Sequence, residues 1–300
     1  MKRILTYCAV GVLAAATSSA NACSVCIAHA IGAALSGLGA QTLPHGKTTV
    51  GVSFLHFNKS NGTDNPSVTE SESFSQYSID FNHGLTDRIM LRGSLPFINK
   101  SISATGSPTE RATGFGDASL GAVFQLPPTP RSKAIVAFSA DVKLPSGDNH
   151  AKDAGVLKDQ PVQLGSGSTD VSVGVDLTRE GHKSGELYYA ALRARWNGTN
   201  NRAYHYGGVI FYGLGYLRPL GKNDGLAVEF NGRIADKDKT EMGTKDPNTG
   251  GHLGYLSLSY RRSLGASMGL IVTVQQPVWK QLNGSQEEKT LVSASISRAF

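Results

Sequence analysis

The chain has 300 residues, of which 35 are glycine and 17% are charged, and its formal net charge is +6 at pH 7. This length suits one large domain, and the mild charge, spread without a Lys/Arg cluster, excludes a dedicated nucleic-acid-binding protein. High glycine and low charge fit an all-β protein whose strands each have one apolar face.

The first predicted element is an export signal. Lys2 and Arg3 precede the apolar run "ILTYCAVGVLAAA", which ends in "SSANA", the small-x-small pattern of a signal-peptidase site. The run is too short to span a membrane as a stable helix. Residues 1–22 are therefore predicted to be a signal peptide, with Cys23 as the first mature residue. A lipoprotein signal is the alternative, although Ala20 stands where such signals favour leucine.

The second element is a cysteine-bearing N-terminal segment, residues 23–46. Cys23 and Cys26 are candidates for a disulfide, or with His29 for a metal site in which His45 would be the fourth ligand. Haem attachment is rejected because the histidine would have to follow the second cysteine directly. In an oxidising periplasm the plainest outcome is a small, easily reduced disulfide loop. No cofactor is predicted.

Most of this segment is apolar. Residues 27–44, "IAHAIGAALSGLGAQTLP", are uncharged, rich in alanine, glycine and leucine, and lack strand-like alternation. Such a segment can be a plug in a barrel mouth or a disordered leader. Its apolar composition favours the plug, because disordered segments are usually polar.

From Thr48 onward the sequence alternates apolar and polar residues in segments separated by turn residues. The segments are longer than the roughly 5–6 residues of soluble strands, and long enough to cross a bilayer when tilted, which takes about 9–11 residues. The twelve predicted strands cover residues 48–58, 72–83, 88–101, 113–126, 133–144, 168–178, 186–197, 206–218, 225–237, 251–262, 267–279 and 290–300.

Short turns and long polar loops alternate between these strands. "HGLTD" and "PLGKND" are short turns, whereas "KSNGTDNPSVTESES" and "KDKTEMGTKDPNTGG" are long loops. Outer-membrane barrels have short periplasmic turns and longer external loops, and the alternation ending at Phe300 looks like their assembly signal. The sequence therefore predicts an all-β fold: a single antiparallel transmembrane β-barrel of twelve strands over residues 47–300, in the bacterial outer membrane.

Each predicted strand has an apolar and a polar face, and in a membrane barrel the polar face lines the lumen. Six acidic and six basic residues fall on that face, which allows either a packed, salt-bridged interior or a narrow pore whose charge rows set selectivity. These predicted lumen residues are Asp80, Arg92, Asp117, Asp141, Lys143, Asp170, Asp176, Arg193, Arg195, Glu229, Arg233 and Arg261.

Two catalytic interpretations are disfavoured. The glycine-rich "GFGDASLG" lacks the following helix and the Lys-Ser/Thr pair of a phosphate-binding loop, so its glycines are interpreted as permitting a twisted strand and close packing. His56 has the apolar parity of the first strand, and an outer-membrane hydrolase would need a serine and a histidine on that face. We interpret His56 as a rim residue and predict no enzyme activity.

Two glycine-rich stretches carry a family resemblance: "TGFGDASLGAVFQL" at 113–126, and residues 142–177, which contain "KLPSG" and "LGSGS". A G-x-G-D strand start, a K-L-P-[ST]-G strand end and an L-G-[ST]-G-S segment follow one another. In this pattern the chain resembles a bacterial outer-membrane family associated with phenol degradation, whose members are also labelled transporters. The matching residues are Gly114, Gly116, Asp117, Lys143, Leu144, Pro145, Ser146, Gly147, Leu164, Gly165, Ser166, Gly167 and Ser168.

The resemblance implies a twelve-strand barrel in the broad neighbourhood of outer-membrane transporters for fatty acids and aromatic hydrocarbons, with no catalytic residues. The expected function is a porin-like channel for passive uptake or export of a small molecule, apolar or aromatic in class. Its partners would be outer-membrane lipid and that solute. The alternative is a structural barrel that engages a periplasmic or redox partner through its cysteine-bearing N-terminus.

Overall fold

The structure is a computed structural model that describes residues 39–61, 70–106, 108–127, 134–153, 155–158, 160–182 and 185–300. A 3₁₀ helix covers Gln160–Val162. Among the described residues, no helix is long and apolar enough to cross a membrane. The strands are β1 (Thr48–Asn61), β2 (Glu70–Thr86), β3 (Ile89–Ala104), β4 (Glu110–Phe115), β5 (Ser119–Gln125), β6 (Ala134–Lys143), β7 (Lys152–Asp153), β8 (Val156–Leu157), β9 (Asp170–Glu180), β10 (Leu187–Trp196), β11 (Val209–Pro219), β12 (Asp224–Ala235), β13 (Gly251–Ser263), β14 (Met268–Leu282) and β15 (Glu287–Ala299).

Thirteen of these strands form one closed antiparallel sheet. Neighbouring strands pair in chain order, and β15 pairs with β1, with Thr49 opposite Ala299 and Leu55 opposite Ser293. Strands β4 and β5 both pair with β3, so together they occupy one position in the wall. The barrel therefore has twelve wall positions, which confirms the predicted architecture. Strands β7 and β8 pair only with each other, in the loop that follows β6.

The predicted strand 113–126 is wrong in one respect, because it is interrupted between Phe115 and Ser119. The side chain of Asp117 at the interruption accepts hydrogen bonds from the backbone of the loop after β6. Attachment of this loop replaces the regular strand pairing at that point.

Some predicted loops are also shorter than expected. The sequence predicts a loop between the strands 48–58 and 72–83, yet β1 continues to Asn61 and β2 begins at Glu70, with Lys59 paired opposite Glu72. This part of the hairpin has no alternation of apolar residues. The backbone ladder continues without an apolar outer face, so the sequence pattern cannot reveal it.

The outer wall of the barrel is apolar and the interior is polar. Val52, Ile79, Leu192 and Leu214 are between 51 and 60% exposed, whereas Ser53 and other polar residues of alternate parity are buried. A soluble barrel would have the opposite distribution, because it buries its apolar face. The distribution therefore confirms the predicted outer-membrane barrel.

Candidate lumen site

All twelve charged residues predicted to face the lumen lie on the interior side of the wall. Ten of them are buried, and Asp141 and Arg261 are half-buried. Alternation along the strands places these two inside as well, because Ser139 lies two residues from Asp141, Ser259 lies two residues from Arg261, and both serines are buried. Whether these charges select a solute is a separate question, taken up as a proposal below.

A bidentate ion pair joins β3 to β6 across the intervening strand β5. Arg92 donates from Nε to Oδ1 of Asp141 at 2.6 Å and from Nη2 to Oδ2 at 2.5 Å. Gly121 of β5 lies opposite both residues, and a Cβ there would stand 2.0 Å from Asp141 Oδ1. The pair can therefore cross β5 only because this position has no side chain.

Asp117 anchors the loop after β6 to the interruption of the wall. Its Oδ1 accepts a hydrogen bond from the Gly147 backbone N at 2.9 Å, and its Oδ2 accepts from the Ser166 N at 2.9 Å and Oγ at 2.8 Å. Gly116 and Gly165 pack against Gly147 so closely that a Cβ on Gly147 would lie 2.8 Å from Gly165 Cα and 2.9 Å from the carbonyl carbon of Gly116. The three glycine-rich motifs therefore pack together around Asp117, at what we call the packing node.

Lys143 completes this node. Its Nζ atom lies 3.0 Å from Asp117 Oδ2 and 2.6 Å from Asp170 Oδ2, and it contacts Ser166. Asp170 also accepts hydrogen bonds from the Ser168 hydroxyl at 2.8 Å and the Gly198 backbone at 3.0 Å. Three of the predicted lumen charges are therefore committed to holding the loop in place.

Arg193 and Arg195 are neighbouring interior residues of β10. Arg195 donates from Nε to Ser172 Oγ at 3.3 Å, and its guanidinium carbon lies 5.3 Å from the centre of the Phe211 ring. Within the described residues, neither arginine has a carboxylate oxygen within 4.0 Å, and Asp176 has no cationic partner within that distance. These three charged groups therefore have no direct ion pair within the described residues.

Between strands β10 and β15, interior charged groups are held by ion pairs or by tyrosine hydroxyls of other strands. Arg233 Nη2 lies 3.0 Å from Glu288 Oε1, and the Tyr255 hydroxyl donates to Glu288 Oε2 at 3.0 Å. The Tyr189 hydroxyl donates to Glu229 Oε1 at 2.6 Å. These contacts fit the salt-bridged interior that the balanced charges predicted.

Four buried charged residues of the strands were not predicted: Lys59, Glu72, Lys100 and Glu288. Lys59 Nζ lies 3.0 Å from Glu72 Oε2. Lys59 and Glu288 fall in stretches predicted as loops, Glu72 is the first residue of the predicted strand 72–83, and Lys100 falls near the end of the predicted strand 88–101. Continuing the two-residue alternation past the apolar segments would have identified them.

The end of the barrel with the long connections is the extracellular end, and an apolar cluster narrows it. Val162 and Leu164, from the loop after β6, pack with Phe57, Phe74 and Ile98 of the wall. Lys100 also donates from Nζ to the Pro161 carbonyl at 2.7 Å. The loop therefore folds into the lumen, which was not predicted. Its apolar residues Val162 and Leu164, in an otherwise polar stretch, could have indicated that part of the loop is buried.

The opposite, periplasmic end contains the described part of the N-terminal segment. Ala40 and Leu43 are fully buried against Met90, Val123 and Ala137. The Ala40 backbone N donates to Thr178 Oγ1 at 2.9 Å. Residues 39–44 thus lie inside the mouth of the barrel, consistent with the plug hypothesis for this part of the segment.

The candidate disulfide or metal residues Cys23, Cys26 and His29 lie outside the described residues, as does the predicted signal peptide. His45 lies on the surface at the periplasmic end. Its ring Nδ1 is 2.8 Å from the Leu85 carbonyl oxygen, and its backbone N donates to Asp87 Oδ1 at 2.9 Å. Its part in a metal site stays a prediction.

His56 lies on the outer face, as predicted, with a serine beside it. Its Nδ1 is 3.0 Å from Ser75 Oγ, and its Nε2 is 3.4 Å from Asn58 Nδ2. A serine hydrolase also needs free donors for the oxyanion. The backbone around this pair is instead engaged in strand pairing with β15 and β3 on either side, so we retain the interpretation of a rim histidine.

A family model described as "Putative MetA-pathway of phenol degradation" matches residues 39–256. Among solved structures, the COG4313 outer membrane channel from Pseudomonas putida F1 is similar, with a TM-score of 0.69, 15% identity, and coverage of 87% of this chain and 98% of that one. The chain has no match among curated proteins.

Two autotransporter domains are similar at lower scores. The transport unit of AIDA-I from Escherichia coli has a TM-score of 0.53 and 11% identity, covering 84% of this chain and 90% of that one. The translocator domain of NalP from Neisseria meningitidis has a TM-score of 0.51 and 11% identity, covering 86% and 90%. At these identities the likeness is one of fold.

Proposed function

The chain belongs to the family described as "Putative MetA-pathway of phenol degradation", and from that premise we propose that it is a passive outer-membrane channel for a small solute. The observation that carries the proposal is a largely polar interior behind an apolar wall. Along β2 the buried inward side chains are Glu72, Phe74, Gln76, Ser78, Asp80 and Asn82, five of which are polar. A polar column of this kind offers a path for water and polar groups through the membrane.

The proposed path is narrow. Buried ion pairs such as Arg92–Asp141 and Arg233–Glu288 hold interior side chains against the wall. Val162 and Leu164 narrow the extracellular half, and Leu43 narrows the periplasmic mouth. A passage constrained at both ends suits a small molecule rather than a polymer.

The names of similar proteins suggest the solute class. The similar Pseudomonas structure is titled an outer membrane channel, and the family description names phenol degradation. We therefore propose a small apolar or aromatic molecule, moving in either direction down its gradient. Passive movement needs no bond-making step, so we propose no enzyme activity.

The test is reconstitution of the mature protein into planar bilayers and liposomes, beside a variant lacking residues 23–46. We expect conductance and entry of phenol for the mature protein, and larger conductance for the deletion. Empty liposomes and liposomes with heat-unfolded protein are the controls. The channel proposal fails if neither protein passes ions or small solutes.

A second proposal is a scaffold that holds a periplasmic or redox partner. The position of Gly39 and Ala40 at the periplasmic mouth favours it, because the cysteines precede these residues in the chain. Affinity capture with the mature protein and with a Cys23→Ser/Cys26→Ser variant tests it. Capture of the same partners by both proteins would contradict a role for the cysteines.

A further inference from the structure

We propose that Arg193, Arg195 and Ser139 form a binding site for the carboxylate of a small organic acid in the barrel interior. The inference rests on the proposed channel function, because it names a chemical class for the solute. It comes from polar atoms that the wall buries without satisfying.

Three buried donor atoms on this part of the wall have no hydrogen-bond partner among the described residues: Arg193 Nε, Arg195 Nη1 and Ser139 Oγ. Arg193 is 8% exposed and Arg195 is 6% exposed. A buried donor without a partner costs free energy. Guanidinium groups only donate, so the missing partner is an acceptor, and a carboxylate accepts two parallel hydrogen bonds from one guanidinium.

Two of the three unsatisfied atoms, Ser139 Oγ and Arg193 Nε, meet at one point of the wall. Gly174 of β9 lies opposite Arg193 of β10 on one side and opposite Ser139 of β6 on the other. A Cβ at Gly174 would stand 2.8 Å from Ser139 Oγ and 3.1 Å from Arg193 Nε. Both side chains therefore lie over the same glycine, and Arg195 follows two residues along the same face.

The charges around this point favour a monoanion over a dianion. Arg92 is paired with Asp141, and Asp176 is the other carboxylate that faces Arg193. Together with the neighbouring Lys143, Asp117 and Asp170, the four cations and four carboxylates of this region balance. A monoanionic carboxylate therefore adds less unbalanced charge than a phosphate dianion.

The carboxylates beside Lys143 do not satisfy these donors, because they are hydrogen-bonded to other groups. Asp170, which also interacts with Arg195, accepts from Lys143, Ser168 and Gly198. Asp117 accepts from Lys143 and from the loop backbone. Because these carboxylates are hydrogen-bonded elsewhere, the free donors of β10 remain for a ligand.

Calorimetric titration of the folded, detergent-solubilised mature protein tests the site, with sodium benzoate and sodium acetate as probes. We expect saturable binding of one benzoate, weakened about tenfold by Arg193→Gln and by Arg195→Gln, because each removes a charged hydrogen bond. Arg179→Gln, which removes an exposed arginine from β9 outside the proposed site, should leave the affinity unchanged.

Heat-modified electrophoretic mobility verifies that each variant is folded. If the glutamine variants do not fold, Ser139→Ala and Arg193→Lys take their place. We expect each to weaken benzoate affinity about threefold, because Ser139→Ala removes one neutral hydrogen bond and Arg193→Lys removes the two-pronged guanidinium group. Unchanged benzoate affinity in the folded variants would overturn the proposal.

Three further outcomes would also overturn it: no binding of benzoate or acetate by the mature protein, equal affinity for uncharged phenol, or tighter binding of inorganic phosphate. Binding in detergent does not require an open path. If the protein binds benzoate but does not conduct ions, only the channel proposal is overturned. If it conducts ions but does not bind carboxylates, only the proposed carboxylate site is overturned.

Discussion

The Nζ atom of Lys143 lies 3.0 Å from the carboxylate of Asp117, which joins the last residue of β6 to the interruption between β4 and β5. The same lysine lies 2.6 Å from Asp170, the first residue of β9. Both ends of the loop that enters the lumen are thus fixed by one buried cation. Loop position and barrel stability should depend on this node together.

Replacing Asp117 by asparagine should destabilise the barrel. Asp117→Asn removes the charge that faces Lys143 and exchanges one acceptor oxygen for a donor that meets the Gly147 or Ser166 backbone donors. We expect the free energy of unfolding to fall by about 3 kcal/mol. Urea titration in lipid vesicles, followed by tryptophan fluorescence, measures it.

Asp148→Asn is the matched control, because Asp148 lies in the same loop and is exposed. It should change the free energy of unfolding by less than about 0.5 kcal/mol. Equal stability of the Asp117 variant and the unmodified protein would show that the node is not a stabilising contact.

The three-glycine packing predicts that Gly165→Ala distorts the same loop. The new Cβ would lie 2.3 Å from the Gly147 carbonyl oxygen and 2.7 Å from Asp117 Oδ1. Such overpacking should cost about 1–3 kcal/mol and speed tryptic cleavage after Lys152 or Lys158. Gly208→Ala is the control, since its Cβ would meet its nearest atom at 3.5 Å. Identical cleavage rates for the two variants would contradict the packing argument.

Strand number and lumen-facing charges could be predicted because the membrane constrains both. A charged strand residue such as Asp80 or Arg233 avoids lipid only when it faces the lumen. The alternation of residues along the strand is therefore enough to predict which face it is on. The partner of Lys143 could not be predicted in this way. The ion pairs of Lys143 depend on the strand register and loop path that bring Asp117 and Asp170 close to it. The alternation of residues within one strand does not contain this information.

The same reasoning explains the errors at the extracellular end. Lys59 and Glu72 belong to a paired hairpin without an apolar outer face, so their alternation is hidden. Val162 enters the lumen because the wall there offers Phe57 and Phe74 as apolar partners. That attraction involves residues roughly a hundred positions apart in the sequence, and no local pattern reports it.

The cysteine pair gives a prediction for the N-terminus. Intact-mass spectrometry of the mature protein should show removal of residues 1–22 and a mass lower by two hydrogens than the dithiol, because Cys23 and Cys26 form a disulfide in an oxidising compartment. Mild reductant should restore both thiols to alkylation, since a short loop strains the bond. Cys26→Ser should leave one alkylatable thiol without reductant. Additional mass would indicate lipid, metal or haem instead.

Leu43 should control the periplasmic mouth. Leu43→Glu places a carboxylate in the apolar cluster that Leu43 forms with Met90, Val123 and Ala137. Burial of an unpaired charge is costly, so residues 39–44 should leave the lumen and single-channel conductance should rise by about twofold or more, by analogy with removal of a pore constriction. Lys47→Glu, an exposed change at the same end, controls for added negative charge. A conductance increase of equal size in both variants would mean that surface charge, and not displacement of Leu43, widens the path.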